Sequence, residues 1–255
     1  MFRRAKHRTP RGRRRATASL LALGVLATAV MTGAVNASAA PVKPFRPAPD
    51  CSGGYVALTY DDGPDPVLDP RLLDLLRKHG LRATFFVVGD RVIYNPQLVR
   101  RMAAEGHSVQ AHSWDHPKLG EMPLDSALKN LKDGAQVIQL LGLPRPTFYR
   151  APYHNTTEQL RVAAAQAGLT QVVYTVDTVD WQDVGVDYIV AQVATARPGG
   201  VINMHDLGRP ETVNALPRIA ETLRAKKMCS GRLVATSEPN PDGHDLAFYA
   251  KAVAW

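Results

Sequence analysis

The chain has 255 residues, of which 45% are hydrophobic and 21% charged, and these proportions exclude a disordered or fibrous protein. Its formal net charge is +8, but eight of the 31 Lys and Arg residues lie within residues 1–15. The other 23 equal the 23 Asp and Glu residues, so the rest of the chain has no net charge. This distribution removes the electrostatic argument for nucleic-acid binding, and we expect no nucleic-acid partner.

The N-terminus has the pattern of an export signal. Basic residues 1–15 precede an apolar run over residues 20–31, and small residues follow up to Ala37-Ser38-Ala39, which fits an A-x-A cleavage site. We predict a signal peptide over residues 1–39 and a secreted chain, with cell-wall association possible and no stable membrane association after cleavage. The alternative is an uncleaved anchor over residues 16–34, which barely reaches the ~20 residues that a membrane span needs.

A proline-rich stretch precedes the folded region, and the chain has two cysteines, one near each end of that region. Residues 40–52 are rich in proline and are predicted to be a linker. Cys51 precedes the first predicted strand and Cys229 precedes the last, and an even cysteine count in an exported protein predicts a disulfide between them. Two unpaired thiols remain the alternative.

Strand-like and helix-like patterns alternate after the linker. In chain order they are strand Tyr55–Tyr60, helix Arg71–His79, strand Thr84–Val88, helix Pro96–Glu105, strand Ser108–His112, helix Leu124–Leu141, strand Thr147–Tyr149, helix Thr157–Ala167, strand Gln171–Val176, helix Asp187–Ala196, strand Val201–Met204, helix Thr212–Lys227 and strand Arg232–Thr236. This alternation indicates an α/β fold with a parallel sheet or barrel. Residues 238–255 form a C-terminal tail to which the sequence gives no role.

Polar side chains follow successive predicted strands. They are Asp61 and Asp62, His112 and His116, Arg150, Asp177 and Asp180, and His205 and Asp206. Each alone has a structural explanation, such as turn formation, an ion pair or a buried histidine. In a parallel α/β fold, however, the carboxyl ends of the strands lie on one face, so these residues are predicted to converge there.

Two imidazoles and a carboxylate suit zinc or another divalent first-row metal, and three protein ligands leave a position open for water or substrate. A second carboxylate could accept the proton of the attacking water, and a histidine opposite could protonate a leaving group. The set therefore indicates metal-assisted hydrolysis of an acyl bond. Iron oxygenases use the same ligand types, but they do not need the additional groups Asp61, Arg150 and His205.

Five motifs now identify a family resemblance. They are Thr59-Tyr60-Asp61-Asp62-Gly63-Pro64, His112-Ser113-Trp114-Asp115-His116-Pro117, Arg150-Ala151-Pro152-Tyr153, Asp177-Thr178-Val179-Asp180-Trp181 and Ile202-Asn203-Met204-His205-Asp206. Their order resembles that of the polysaccharide deacetylases with a NodB-type homology domain, which form carbohydrate esterase family four. The resemblance implies an α/β fold, a distorted (β/α) barrel with about seven parallel strands, and a catalytic domain over residues 53–237.

The resemblance also implies roles for the first group of residues. Asp62, His112 and His116 would bind a divalent metal, most simply zinc, with cobalt or another first-row ion as the alternative. Asp61 would be the general base, and Arg150 would orient it and favour its ionised form.

The remaining roles concern the leaving group and the substrate. The backbone N–H of Tyr153 would help to stabilise the oxyanion, His205 would be the general acid supported by Asp180, and Trp181 would form an apolar wall. One position departs from the family pattern: His154 stands where glycine is usual, and we expect its side chain to point away from the site.

The expected substrates are acetylated polysaccharides or oligosaccharides that contain N-acetylglucosamine, such as chitin oligomers or peptidoglycan. An acetylxylan esterase with the same machinery is the alternative within the family. A cell-wall or glycan-binding protein without turnover is the alternative of a different class. We expect the protein to be a monomer.

Overall fold

The computed structural model describes residues 50–237 and 249–255. The predicted signal peptide, linker residues 40–49 and tail residues 238–248 lie outside this part of the chain. The strands are β1 (Tyr55–Asp61), β2 (Thr84–Val87), β3 (Ser108–Ala111), β4 (Phe148–Tyr149), β5 (Thr170–Gln171), β6 (Val176–Asp177), β7 (Val201–His205), β8 (Cys229–Ser230), β9 (Arg232–Thr236) and β10 (Tyr249–Val253). The helices are α1 (Asp69–His79), α2 (Gly89–Tyr94), α3 (Pro96–Ala104), α4 (Leu124–Leu140), α5 (Glu158–Ala167), α6 (Val186–Ala194) and α7 (Pro210–Ala225).

Seven parallel strands form one curved sheet in the order β5-β4-β3-β2-β1-β7-β6, with β8 beside the start of β1. The registers of β1 place Thr59 opposite Thr84 of β2 on one side and opposite Asn203 of β7 on the other. Each parallel step along the chain needs a crossover, and the helices provide most of these connections. The predicted α/β fold with about seven parallel strands is therefore confirmed.

The predicted strand Gln171–Val176 is wrong as a single element. Its two ends form β5 and β6, which lie at opposite ends of the sheet order, and residues 172–175 connect them. Four extended residues span at most about 14 Å. The two edges of the sheet are therefore brought close together, and this short bridge gives the sheet its distorted barrel shape.

The predicted last strand, Arg232–Thr236, does not join the parallel sheet. It is β9 and pairs antiparallel with β10, so that Arg232 lies opposite Val253. The segment that adds to β1 is the two-residue strand β8, which sequence analysis missed. An alternating pattern shows that a segment is a strand but does not identify its partner. Residues 249–253 of the tail thereby acquire a structural place in a two-stranded sheet.

Alternation along β1 separates the hydrophobic core from the polar side of the sheet. Val56, Leu58 and Tyr60 pack in the main hydrophobic cluster with side chains of α1 and α7. Successive strand residues point to opposite faces, so Thr59 and Asp61 face the other way. Both are buried as well, which places two polar groups inside the barrel.

Local signals account for several helix ends. Helix α3 begins at Pro96 as predicted, although the Asn95 side chain donates its Nδ2–H to the Arg91 carbonyl instead of capping the helix. Helix α1 ends at Gly80, whose left-handed φ of 69° suits glycine. The short helix α2 was not predicted. Among the helices that the structure describes, none is long and apolar enough to cross a membrane.

A disulfide joins Cys51 to Cys229, with their Cα atoms 5.3 Å apart and a sequence separation of 178. The predicted pairing is confirmed. It ties the segment before β1 to β8, at the start of the central strand.

We expect the double substitution Cys51→Ser, Cys229→Ser to lower the free energy of unfolding by about 2–5 kcal/mol, because the disulfide restricts a long loop in the unfolded chain. Urea unfolding monitored by circular dichroism measures the change. The wild-type protein under reducing conditions is the control and should resemble the variant. An unchanged unfolding midpoint would contradict the expectation.

Candidate active site

The carboxyl ends of the strands open into a cleft with a volume of about 420 Å³. Its lining includes the predicted site residues Asp61, Asp62, His112, His116, Arg150, Tyr153, Asp177, Trp181 and His205. Asp180 lies behind His205 and is buried. Asp206 is the exception to the predicted convergence, because it is fully buried and does not line the cleft.

Two aspartates at the end of β1 are directed differently by the backbone. Asp61 belongs to the strand, whereas Asp62 has a φ of 79°, which turns the chain at the strand end. The Asp62 carbonyl accepts a hydrogen bond from Arg91 of α2. The next residue, Gly63, leaves room for Asp206, because a Cβ at this position would lie 2.4 Å from an oxygen of that buried carboxyl group and would displace it.

Asp62, His112 and His116 bring three ligand-type atoms together. Asp62 Oδ1 lies 3.3 Å from His112 Nε2 and 3.0 Å from His116 Nε2. His112 Nδ1 is 2.9 Å from the Arg150 carbonyl, and a carbonyl can only accept, so Nδ1 carries the proton. In the neutral ring, Nε2 then has a lone pair directed at the carboxylate, as in a histidine prepared to bind a metal.

His116 reaches the same point from a turn and not from a helix. Its backbone N–H donates to Ser113 Oγ at 2.9 Å, and both residues have positive φ, 60° at His116 and 71° at Ser113. The ring of Tyr153 meets the His116 ring edge-to-face, with centroids 4.6 Å apart. The turn and this contact fix the imidazole beside Asp62.

These three residues fit a divalent cation. Asp62 Oδ1 is buried, and the Nε2 atoms of His112 and His116 face it. Burial by itself raises the pKa of Asp62, but the two rings, when they are charged and donate to it in place of a metal ion, together with the charge of His205, hold it well below its usual range, so the carboxylate is ionised. One anionic oxygen and two imidazole nitrogens, all within 4.8 Å of one another, match the donor set of zinc and similar metals.

Arg150 and Asp61 form a buried ion pair beside this group. The exposed fraction is 4% for Arg150 and 3% for Asp61, and Nη1 lies 2.8 Å from Asp61 Oδ1. The same Nη1 lies 2.8 Å from Thr59 Oγ1 and 2.9 Å from Asn203 Oδ1, and the guanidinium covers the Phe86 ring at 4.4 Å. The pair neutralises two buried charges and fixes the Asp61 carboxylate at the cleft wall.

His205 and Asp180 form a second charged pair, and His205 lies beside Asp61 in the register of β1 and β7. Asp180 Oδ1 is 2.7 Å from His205 Nδ1, and Oδ2 accepts hydrogen bonds from the His205 N–H at 2.7 Å and the Thr212 hydroxyl at 2.6 Å. Burial lowers the pKa of His205, but the hydrogen bond and charge of Asp180, with the charges of Asp61 and Asp62, raise it to about 9. The ring is therefore protonated at neutral pH.

The predicted substrate residues are placed at the cleft surface. Tyr153 is 64% exposed and Trp181 48% exposed, and both line the cleft. The expectation that His154 points away is wrong: its ring lines the cleft, and its Nδ1 lies 3.1 Å from the Tyr174 hydroxyl. The residue has a positive φ of 53°.

Sequence analysis missed the residues that support the charged groups. Thr59 and Asn203 hold Arg150, and Thr212 holds Asp180. A signal was present for two of them, because Thr59 and Asn203 each precede a site residue by two positions on a strand and so share its face. Thr212 lies on α7, and nothing in the sequence links it to Asp180.

Comparisons with known proteins agree with this geometry. The sequence profile of the family "Polysaccharide deacetylase" matches residues 49–172. A chitooligosaccharide deacetylase of Bradyrhizobium is 37% identical over 186 residues, which are 67% of this chain and 85% of that protein. A peptidoglycan-N-acetylglucosamine deacetylase of Bacillus cereus is 36% identical over 69% of this chain and 66% of that protein.

A solved structure has the same architecture. It is a family 4 carbohydrate esterase from Streptomyces lividans in complex with acetate, with a TM-score of 0.70 and 38% identity over 79% of this chain and 97% of that one. The chain therefore belongs to the polysaccharide deacetylase family, and it is a hydrolase of that family.

Asp180→Asn should lower the pKa of His205 from about 9 towards its ordinary value of 6.5, because burial is then opposed only by the more weakly acting charges of Asp61 and Asp62. The wild-type pair stabilises the folded state fully below about pH 6.5, and this contribution disappears as the pH rises through about 9. NMR titration of the histidine rings of the metal-free protein measures both pKa values. Asp187→Asn, an exposed aspartate on α6, is the matched control. An unchanged titration of His205 would contradict the role of Asp180.

Proposed function

We propose that the protein is a secreted, metal-dependent deacetylase that hydrolyses acetyl groups on glycans containing N-acetylglucosamine. The observation that carries this proposal is the presence of three elements in one cleft: the group of Asp62, His112 and His116, the fixed carboxylate of Asp61, and the protonated ring of His205. Each element supplies a different requirement of acyl-bond hydrolysis.

The metal site is the first requirement. Asp62, His112 and His116 would hold a divalent first-row ion, for which zinc is the simplest assignment. Such an ion supplies a Lewis acid that polarises the acetyl carbonyl and acidifies a water molecule. Three protein ligands would leave coordination positions for water and substrate.

The second requirement is a base. Asp61 adjoins Asp62 in sequence, and Arg150 holds one of its oxygens, so its carboxylate can accept the proton of the attacking water. Arg150 keeps the carboxylate in one orientation and compensates its charge. Because the ion pair is buried, Asp61 does not have to be desolvated when the substrate binds.

The third requirement is an acid for the leaving group. An amide releases an amine, which leaves well only when its nitrogen is protonated, so protonated His205 is suited to amide hydrolysis. Asp180 maintains the charged form of His205 and holds its Nδ1, leaving Nε2 to donate the proton. The Bradyrhizobium and Bacillus cereus relatives are named as deacetylases of N-acetylated glycans, which supports the same assignment here.

Two further groups complete the proposed site. The Tyr153 N–H would stabilise the developing oxyanion from the turn that also directs the Tyr153 ring onto His116. The half-exposed Trp181 ring would pack against the acetyl methyl or a sugar face.

Secretion is part of the proposal. The basic and apolar pattern of residues 1–39 supports an export signal, and the disulfide Cys51–Cys229 is expected in an oxidising compartment. The second candidate activity is removal of O-acetyl groups from xylan; the Streptomyces lividans protein is named a carbohydrate esterase, which supports ester cleavage as a reaction class and names no substrate. An alkoxide leaves more easily than an amine, so ester cleavage depends less on protonation by His205. The same residues could therefore catalyse ester hydrolysis.

Acetate release tests the proposal directly. We expect the metal-loaded protein to release acetate from chitin oligomers or peptidoglycan, and we expect chelator treatment to abolish this release. Acetylated xylan is the parallel substrate, and faster release from xylan would move the assignment to the esterase. Folded, metal-loaded protein that releases no acetate from any of the three would contradict the proposed enzyme and favour a glycan-binding protein.

The two adjacent aspartates should separate metal binding from turnover. Asp62→Ala should lose both the metal and the activity, whereas Asp61→Asn should keep the metal and lose about 10²–10⁴-fold in kcat, the usual contribution of a general base. Metal content after dialysis and acetate release measure the two effects.

The matched control is Asp133→Ala, which removes an aspartate that pairs, within the described residues, with Lys129 on the same helix. Circular dichroism of all three variants confirms that they fold. Normal metal content in Asp62→Ala would refute its role as a ligand, and full activity in Asp61→Asn would overturn the assignment of the base.

A further inference from the structure

His154 and Tyr174 make a contact inside the cleft that none of the catalytic steps above requires. His154 Nδ1 lies 3.1 Å from the Tyr174 hydroxyl, and the two rings meet edge-to-face with centroids 5.1 Å apart. Both side chains line the cleft. The pair therefore forms a stretch of cleft wall with a defined geometry.

The backbone at Tyr153 and His154 adopts a strained conformation. Tyr153 and His154 have consecutive left-handed φ values of 57° and 53°. This conformation is unfavourable for residues other than glycine, because the Cβ atom approaches the following carbonyl oxygen. The rings of these two adjacent residues have different neighbours: the Tyr153 ring contacts His116, and the His154 ring contacts Tyr174. Strain that places a large polar ring in a cleft points to a role in ligand binding.

Tyr174 gives the imidazole a fixed partner. It lies in the four-residue bridge between β5 and β6, and its ring is 5.8 Å from the Arg150 guanidinium. Burial, and next the charge of Asp177, raise the pKa of Tyr174 to about 12, so its hydroxyl keeps its proton at neutral pH. A neutral phenol held in this way can hydrogen-bond either tautomer of His154 and thereby fixes the plane of the ring.

We propose that His154, oriented by Tyr174, is a specificity-determining residue that binds a hydroxyl of a sugar adjacent to the acetylated sugar. The inference rests on the proposed function. The Tyr153 ring contacts the proposed metal ligand His116, whereas the His154 ring contacts Tyr174, so the two rings occupy different parts of the cleft wall. A glycan whose acetylated sugar lies at the metal-binding group would extend an adjacent sugar through the cleft that His154 lines. An imidazole can donate or accept, as can a sugar hydroxyl, and its ring can also pack on a sugar face.

Kinetics with tetra-N-acetylchitotetraose test the inference. His154→Gly and His154→Asn both tolerate a positive φ, and Tyr174→Phe removes only the hydroxyl. We expect each to raise KM about five- to tenfold, as for the loss of one hydrogen bond, with the effect on kcat smaller than twofold. Because the two residues act as one unit, the double variant His154→Gly, Tyr174→Phe should have about the same KM as each single variant.

Tyr188→Phe is the matched control, since Tyr188 is an exposed tyrosine on α6 that does not line the cleft. An unchanged KM in the His154 variants would overturn the inference. So would a fall in kcat alone, or strictly additive effects in the double variant, because either would indicate a structural role without sugar contact.

A binding measurement separates this inference from the proposed function. Quenching of tryptophan fluorescence by tetra-N-acetylchitotetraose, with the chelator-treated full chain, gives a Kd without turnover. We expect a Kd about five- to tenfold weaker in His154→Gly than in the wild type. If the wild type binds the glycan but releases no acetate, the proposed function fails and the Kd ratio still decides the inference. Equal Kd values, or no binding by the wild type, would overturn it.

Discussion

The buried ion pair between Arg150 and Asp61 is the interaction on which the rest of the site depends. Arg150 follows β4, and its Nη1 reaches Asp61 and Thr59 of β1 and Asn203 of β7, while its carbonyl holds His112 at the end of β3. One residue therefore ties together four strands, the proposed base and a proposed metal ligand. Removing one partner of such a pair leaves an uncompensated buried charge, at a cost of about 3–5 kcal/mol.

The cleft shows how the fold supports conformations that short segments would not adopt alone. Asp62, Ser113, His116, Tyr153 and His154 all have positive φ values. For two of them a hydrogen bond to a neighbouring side chain supports the turn: Arg91 donates to the Asp62 carbonyl, and Ser113 Oγ accepts from the His116 N–H. The parallel sheet beneath them is buried on both faces, and this stability compensates for the strain in the loops above it.

Much of the fold was predictable because strand and helix patterns repeat with different periods, and the strand ends could then be assigned to one face. The errors were non-local. Residues 171–176 read as one strand, but the bridge between the two sheet edges divides them, and Arg232–Thr236 pairs with a segment of the tail. Pairing partners and edge closure depend on residues far apart in sequence, and no local pattern records them.

The sequence by itself determined the family resemblance, the residue types of the site and the disulfide partners, because each depends on identity and order along the chain. Only the tertiary structure decided that Thr59, Asn203 and Thr212 support the charged groups, that Asp206 is buried away from the cleft, and that His154 turns into it to meet Tyr174. The reason is that side-chain direction depends on backbone torsions and packing, which the neighbouring residues in sequence do not fix.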